Sequence, residues 1–234
     1  MKGTLFLIPS VIAENTAESA FPPANMKIIN SLNEFIVEEE RTARRFLKSI
    51  GYTKSLDHVK LHVHNEHSSM MNSADHVKQL TEGKDMGLLS EAGCPCIADP
   101  GSEIVMLCHH HGITVKPLTG PSSILLALMA SGLNGQNFSF NGYLPVKKNE
   151  RAKKIKELET KAYKEKQSQI FMEAPYRNQQ LLNDIIKVCN PSTLLCIASE
   201  LMSDAEFIKT MSVNNWKNCI PELHKKTAIF IIGK

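Results

Sequence analysis

The chain of 234 residues has no apolar run approaching the ~20 residues a membrane-spanning helix needs. Its longest greasy stretch, Ile124–Ala130, reads as a buried helix. No charged, apolar and cleavage regions follow one another at the amino terminus, which starts a strand within a few residues, so cytoplasmic residence is the expectation. Internal repeats and low-complexity tails are also missing. Neither G-x-G-x-x-G nor G-x-x-x-x-G-K-[ST] occurs, so neither a dinucleotide nor a nucleoside-triphosphate loop is indicated. The net charge is only +3, too small to dictate a polyanionic partner. Cysteine is present, at positions 94, 96, 108, 189, 196 and 219, but mostly inside apolar segments and without C-x-x-C pairs. That pattern suits reduced core thiols and offers no structural zinc site. His109-His110-His111 does not change this, because adjacent helical residues point in different directions, and no metal is expected.

What is present is an ordinary globular composition, 42% apolar and 22% charged, arranged in alternating strand-like and helix-like runs. Strands are expected at Thr4–Ile8, Asn33–Glu38, Lys60–His64, Met86–Ser90 and Ile113–Lys116, and helices at Arg41–Ile50, Asn72–Thr81 and Ser102–His111. Pro117-Leu118-Thr119-Gly120-Pro121 interrupts every periodicity, which divides the chain into residues 1–117 and 118–234. The second half restarts with a helix over Pro121–Ser131, followed by strands at Phe138–Asn141, Gln169–Met172, Leu194–Ala198, Phe207–Met211 and Thr227–Ile232. Two of these are joined without a helix, a sign of antiparallel pairing. The expected fold is two α/β domains, the first with a mostly parallel sheet and the second with a mixed one. Between Lys147 and Lys166 lysines crowd one segment, which reads as a solvated helix with ion-pair spacings or as a nucleic-acid face.

The stretch from Leu88 to Gly101 carries the most information. An apolar strand runs into Ser90-Glu91-Ala92-Gly93-Cys94-Pro95-Cys96-Ile97-Ala98-Asp99-Pro100-Gly101, where two glycines and two prolines dictate an unusual backbone path. A loop at the carboxyl end of a strand is where open α/β sheets bind ligands, so it is read as a cofactor cradle. Polar clusters follow other strands: Glu38-Glu39-Glu40-Arg41, then His62, His64, Asn65, Glu66 and His67, then Glu173-Ala174-Pro175-Tyr176-Arg177, and Ser199-Glu200. Acids just before a helix are expected from the helix dipole alone. His62 and His64 fall on one strand face by alternation.

In order along the chain, Leu5-Phe6-Leu7-Ile8-Pro9-Ser10, Glu38-Glu39-Glu40-Arg41, Leu61-His62-Val63-His64-Asn65-Glu66, Ser90–Pro95, Asp99-Pro100-Gly101, Gly120-Pro121-Ser122, Gly142-Tyr143-Leu144-Pro145 and Glu173–Arg177 resemble the tetrapyrrole methylase superfamily, the class III S-adenosylmethionine-dependent methyltransferases. Within it the likeness is greatest to the bacterial enzymes that methylate the ribose 2′-hydroxyl of a small-subunit ribosomal RNA cytidine. The resemblance implies S-adenosylmethionine in a cleft between two domains and a homodimer. It also implies ribosomal RNA or the small ribosomal subunit as partner, with neither DNA nor a membrane involved. Carried over by position, the cofactor contacts are Pro9, Ser90, Gly93, Cys94, Pro95, Ile97, Ser122, Ser123, Met172, Leu201 and Ala228. Glu38 is the candidate base or orienting carboxylate, Arg41 its partner or a phosphate ligand, and His64 the alternative base.

Departures from that family are visible. Glu39-Glu40 stand where Asp-Thr is usual, Glu91-Ala92-Gly93-Cys94 replaces Asp-Ala-Gly-Thr, and Val11–Asn15 replaces a Pro-Ile-Gly-Asn loop. Each Asp-to-Glu change moves a carboxylate by about a bond length, which a positioned reaction feels. Two other readings therefore stand beside the RNA methyltransferase: a methyltransferase for a tetrapyrrole or other small molecule, and a methylase-like RNA-binding factor without transfer activity.

Overall fold

The computed structural model describes residues 1–65 and 70–234, without the side chains of residues 70–73. Glu66 and His67, part of the histidine cluster read from the sequence, lie outside the described residues. The chain divides into two compact units, Met1–Ser122 and Ser123–Lys234.

The first unit consists of β1 (Thr4–Ile8), α1 (Ala17–Ala20), α2 (Pro23–Ser31), β2 (Glu34–Val37), α3 (Glu40–Ser49), β3 (Lys60–Val63), α4 (Met70–Thr81), β4 (Met86–Leu89), α5 (Ser102–His110) and β5 (Thr114–Pro117). Its strands form a sheet in the order β3-β2-β4-β1-β5, every pairing parallel. The alternation of side chains across these strands explains two cores. Phe6, Ile8, Phe35 and Val37 pack on one face with Phe46 and Leu47 of α3. Leu5, Ile36, Met86 and Leu88 pack on the other with Val77 and Leu80 of α4 and Ile104 and Cys108 of α5. Strands buried on both faces are apolar throughout, as the short runs of the sequence are.

The second unit consists of α6 (Ser123–Ser131), β6 (Phe138–Tyr143), α7 (Lys148–Lys164), β7 (Ser168–Met172), α8 (Asn178–Val188), β8 (Leu194–Ser199), β9 (Phe207–Ser212), α9 (Val213–Trp216) and β10 (Ala228–Gly233). Its sheet runs β6-β7-β10-β8-β9, with β6 and β7 parallel and the remaining pairs antiparallel. The mixed sheet expected from the direct β8–β9 connection is present. Phe171 and Phe230 stack with centroids 6.0 Å apart, and buried Trp216 donates its indole N–H to Leu195 O at 2.9 Å. Helices α2 and α8 add to the elements expected from the sequence. The first is entered through Pro23, whose missing N–H costs nothing in a helix's first turn.

In α7 the bland reading of the lysine-rich segment accounts for much of the charge. Lys154 and Lys161 pair with Glu157, Lys156 with Glu159, and Lys147 with Glu150. Arg151 is buried: its Nη2 and Nε meet Asp184 of α8 at 2.6 and 3.0 Å, and its Nη1 donates to Val146 O at 2.6 Å. It is an internal clamp and not a contact for phosphate.

Candidate functional site

In a parallel sheet every strand delivers its carboxyl end to the same edge, and the first unit gathers its unusual loops there. Ser10, just past β1, makes an antiparallel bridge with Gly93, its N–H donating to Gly93 O at 2.9 Å and its carbonyl accepting from Gly93 N at 3.2 Å. Ser90 N–H donates to Ile8 O at 3.2 Å. From the segment after β5, Pro121 O lies 3.5 Å from Cys94 Sγ, and the Ser122 hydroxyl contacts the same thiol. Gly120 packs on Pro9 so closely that an added Cβ would lie 2.4 Å from the proline Cβ. Pro9, Ser90, Gly93, Cys94 and Ser122 are thus brought together by backbone pairing within one unit. Pro95 and Ile97 continue the same loop, and Ile97 is 53% exposed.

The loop's backbone is strained along its length. Gly93 has φ +76° and Gly101 φ +115°, and two residues with side chains, Cys96 and Ala98, also take φ of +65° and +56°. Residues with side chains held at positive φ are strained, and such strain collects at functional sites. A cleft of about 380 Å³, lined by Ser10, Thr42, Arg45, Phe46, Ser90 and Glu91 among others, opens beside this loop. That volume lies within the range of small-molecule sites.

Carboxylates crowd the same edge. Burial pushes the Asp99 carboxyl up to about 6, helped by the charges of Glu38 and Glu91 and opposed by the Ser90 hydroxyl. The influence of Glu38 places it, at the end of β2, within electrostatic reach of the loop after β4. Glu91 accepts a 2.6 Å hydrogen bond from the Thr42 hydroxyl of α3. In the sequence Asp99 belongs to a motif without a role of its own; only its burial among other acids marks it out.

The other two catalytic candidates have different surroundings. Arg41 is exposed in the first turn of α3, where its charge helps lower the carboxyl of Glu39. Glu39 is the helix cap, accepting from the N–H groups of Thr42 at 2.9 Å and Arg41 at 3.2 Å. One glutamate of the acidic run is therefore explained by helix capping alone. His64 is buried, its Nε2 engaged with Glu103 of α5. Its ring stands 5.8 Å from that of His76, while His62 lies 5.5 Å from His76 and 2.9 Å from Glu34. His62 of β3 and His64, just past its end, both face His76, in a cluster that is mainly internal. Burial, with the charges of His62 and His64, lowers His76 to about 4. Among the described residues no group of three or more His, Cys, Asp or Glu is arranged to hold a metal ion.

In the second unit, Met172 ends β7, Ala228 starts β10 and Leu201 follows β8, which the antiparallel register brings to one end of that sheet. Leu201 is buried between two left-handed residues, Glu200 (φ +52°) and Met202 (φ +66°). Glu200 fixes the turn by accepting from Thr227 N at 2.6 Å and Thr227 Oγ1 at 2.9 Å. Ser123 is the first residue of α6. At the same sheet end Glu173 is buried and accepts from Arg177 Nη2 at 2.6 Å, the ion pair that their spacing allows.

The chain matches the family model for tetrapyrrole (corrin/porphyrin) methylases over residues 21–213. It is 31% identical over 207 residues to the ribosomal RNA small subunit methyltransferase I of Escherichia coli O157:H7, an alignment covering 88% of this chain and 68% of that one. The protein of the same name from Vibrio cholerae serotype O1 is 33% identical over 186 residues, covering 80% of this chain and 62% of that one. The chain thus spans about two-thirds of the length of these curated relatives. Among solved structures, uroporphyrin-III C-methyltransferase from Thermus thermophilus, complexed with S-adenyl homocysteine, has a TM-score of 0.59 at 12% identity, covering 99% of this chain and 98% of that one. That likeness is one of fold. Motifs, sheet topology and the matched family model agree: the chain belongs to the tetrapyrrole (corrin/porphyrin) methylase family.

Proposed function

We propose that the protein is an S-adenosylmethionine-dependent methyltransferase whose acceptor is a ribose 2′-hydroxyl of small-subunit ribosomal RNA. The observation that carries this reading is the convergence, within the first unit, of the loops after β1, β4 and β5 on a backbone held at repeated positive φ. Relatives named as ribosomal RNA small subunit methyltransferases support the acceptor. The residues present fit the cofactor. The left-handed backbone at Cys96 and Ala98 is proposed to present N–H groups to its carboxylate, and the buried Leu201 and Ala228 to supply apolar surface for its adenine. Pro9, Ser90, Cys94, Pro95, Ile97, Ser122, Ser123 and Met172 are the remaining proposed contacts. When bound, S-adenosylmethionine supplies a sulfonium-activated methyl group.

The chain's own residues then have two tasks. One is to hold the acceptor hydroxyl in line, which is chiefly a matter of positioning. The other is to take its proton. Asp99 and Glu38 are the proposed acceptors, Asp99 being half-exposed and poised near neutrality by its burial and acidic neighbours. His64 is proposed as a positioning residue, because its Nε2 is already engaged by Glu103. Arg41, being exposed, is proposed to meet a phosphate. The protein is further proposed to act in the cytoplasm as a homodimer. Among the described residues no helix is long and apolar enough to cross a membrane. Leu125 and Met129, exposed one turn apart on α6, supply apolar surface that a second copy would cover.

Calorimetric titration with S-adenosylmethionine, followed by transfer of labelled methyl to small ribosomal subunits lacking the modification, tests the reading. The expected result is saturable binding and label in the RNA at ribose. Binding with label passing only to a tetrapyrrole acceptor would overturn the RNA assignment. A folded protein that does not bind the cofactor would overturn the enzyme.

A further inference from the structure

The second unit carries a surface that the cofactor site does not use. Tyr143 ends β6 in parallel register with Met172, and it is 59% exposed. The register of β6 against β7 shifts between Phe140 and Tyr143, and Gly142 within the shift has φ +61°. A Cβ at Gly142 would meet nothing within 4 Å, so glycine is needed there for its backbone and not for space. Bulges of this kind re-aim the side chain that follows. Tyr176, in the turn just after β7, is 63% exposed. The Arg177 guanidinium lies 5.0 Å from its ring centroid and donates to its hydroxyl at 3.1 Å. Arg177 is itself tied to buried Glu173, so this tyrosine is held in place from below.

Basic residues lie on the segments that adjoin both tyrosines. Pro175 O accepts from Lys225 N at 3.0 Å, which brings Lys225 and Lys226 beside the Tyr176 turn. Lys147 follows Tyr143 by four residues at the start of α7, in a loop pinned by buried Arg151. Two exposed aromatic rings, one of them held by Arg177, with basic residues on adjoining segments and Met172, the proposed methyl-donor contact, in register with Tyr143, match the chemistry of single-stranded nucleic acid, in which bases stack and phosphates attract cations. We infer that Tyr143 and Tyr176 form a stacking platform for unpaired bases of the RNA acceptor, with Lys225, Lys226 and Lys147 contacting its phosphates. The inference rests on the RNA reading of the preceding section.

The test uses the full chain and a fluorescein-labelled single-stranded 12-mer of oligocytidylate, with binding followed by anisotropy. Stacking energies predict that Tyr143→Ala and Tyr176→Ala each weaken binding by roughly 5- to 100-fold. The corresponding Phe variants should stay within about twofold of wild type, because the ring face and not the hydroxyl does the stacking. Lys225→Gln with Lys226→Gln should instead flatten the dependence of log affinity on log salt by ~0.7 for each phosphate no longer neutralised. Cofactor titration of the same variants, expected to match wild type, reports on the other site. Alanine variants that bind like wild type overturn the platform, as does a wild-type protein that does not bind the oligomer. Phenylalanine variants as weak as alanine overturn stacking as its basis. Tyrosine-dependent binding without methyl transfer to ribosomal RNA leaves the platform standing and overturns the proposed reaction. Transfer with unaffected alanine variants does the reverse.

Discussion

Asp99 and His76 are half-exposed and buried ionisable groups whose shifts oppose one another over nearly the same pH range. Asp99, raised from 3.8 to about 6, keeps its proton in the folded chain when the unfolded chain has lost it. Its contribution to stability therefore falls as pH rises from about 3.8 to 6. His76, lowered from 6.5 to about 4, stays neutral when folded, so its contribution is complete above 6.5 and is lost as pH falls toward 4. Thermal melts from pH 4 to 7 should show Tm rising more steeply with pH in Asp99→Asn than in wild type, and less steeply in His76→Leu. Profiles parallel to wild type would remove both assignments. For activity, the proposed role of Asp99 predicts a rising limb with an apparent pKa near 6 that Asp99→Asn abolishes. A limb that persists in the variant would transfer the role to Glu38. Three of the thiols play no part in this titration: burial pushes Cys96 and Cys108 up to about 11 and Cys189 to about 12.

Elements, rather than single side chains, decide how well these residues are held. Arg151 and Asp184 join α7 to α8 with both charges buried, 2% and 7% exposed. Arg151→Met leaves a buried aspartate without its partner and should cost about 3–5 kcal/mol in urea unfolding. Adding Asp184→Leu to it should recover most of that loss, and a double variant no better than the single would show that the pair acts through the Pro145–Val146 loop instead. Gly120 tests the seam of the first unit. In Gly120→Ala the new methyl meets Pro9 at 2.4–2.6 Å, and Pro9 is backbone-linked through Ser10 to the cofactor loop. Overpacking of this kind costs about 1–3 kcal/mol, and affinity for S-adenosylmethionine should fall at least about tenfold with it. A stability loss with unchanged affinity would detach this seam from the cofactor site. The order of the sheet was legible only in part. Apolar runs located the strands, because burial on both faces demands them, yet nothing local to a strand says that β4 lies between β2 and β1. Helix α8 shows the same limit in reverse: Leu181, Leu182 and Ile185 are buried within a largely polar segment whose amphipathic signal is short.

For the molecule as a whole, the proposed homodimer is the property most open to measurement. Leu125 is 50% and Met129 79% exposed on α6, an apolar pair that single substitutions reach without disturbing a core. Sedimentation should show a dimer for the wild type, shifted to monomer in Leu125→Lys with Met129→Lys, and the Tm of the wild type alone should rise with protein concentration. A monomeric wild type would end the proposal. The two α/β units, the parallel and mixed sheets, and the family could all be read from the order of residues, because hydrophobic period, turn residues and motif order are local properties. Ser90–Gly101 also stood out as unusual, since two glycines and two prolines in so short a span constrain φ wherever the chain lies. Which polar residues meet was a matter for folding in three dimensions. It bound His64 to Glu103, thirty-nine residues away, buried Arg151 with Asp184, gave Glu39 to a helix cap, and set Asp99 beside Glu38 of another segment as well as Glu91 of its own loop. Burial and neighbouring charge are sums over residues distant in the chain, and they decide whether a carboxylate is a cap, a clamp or a base.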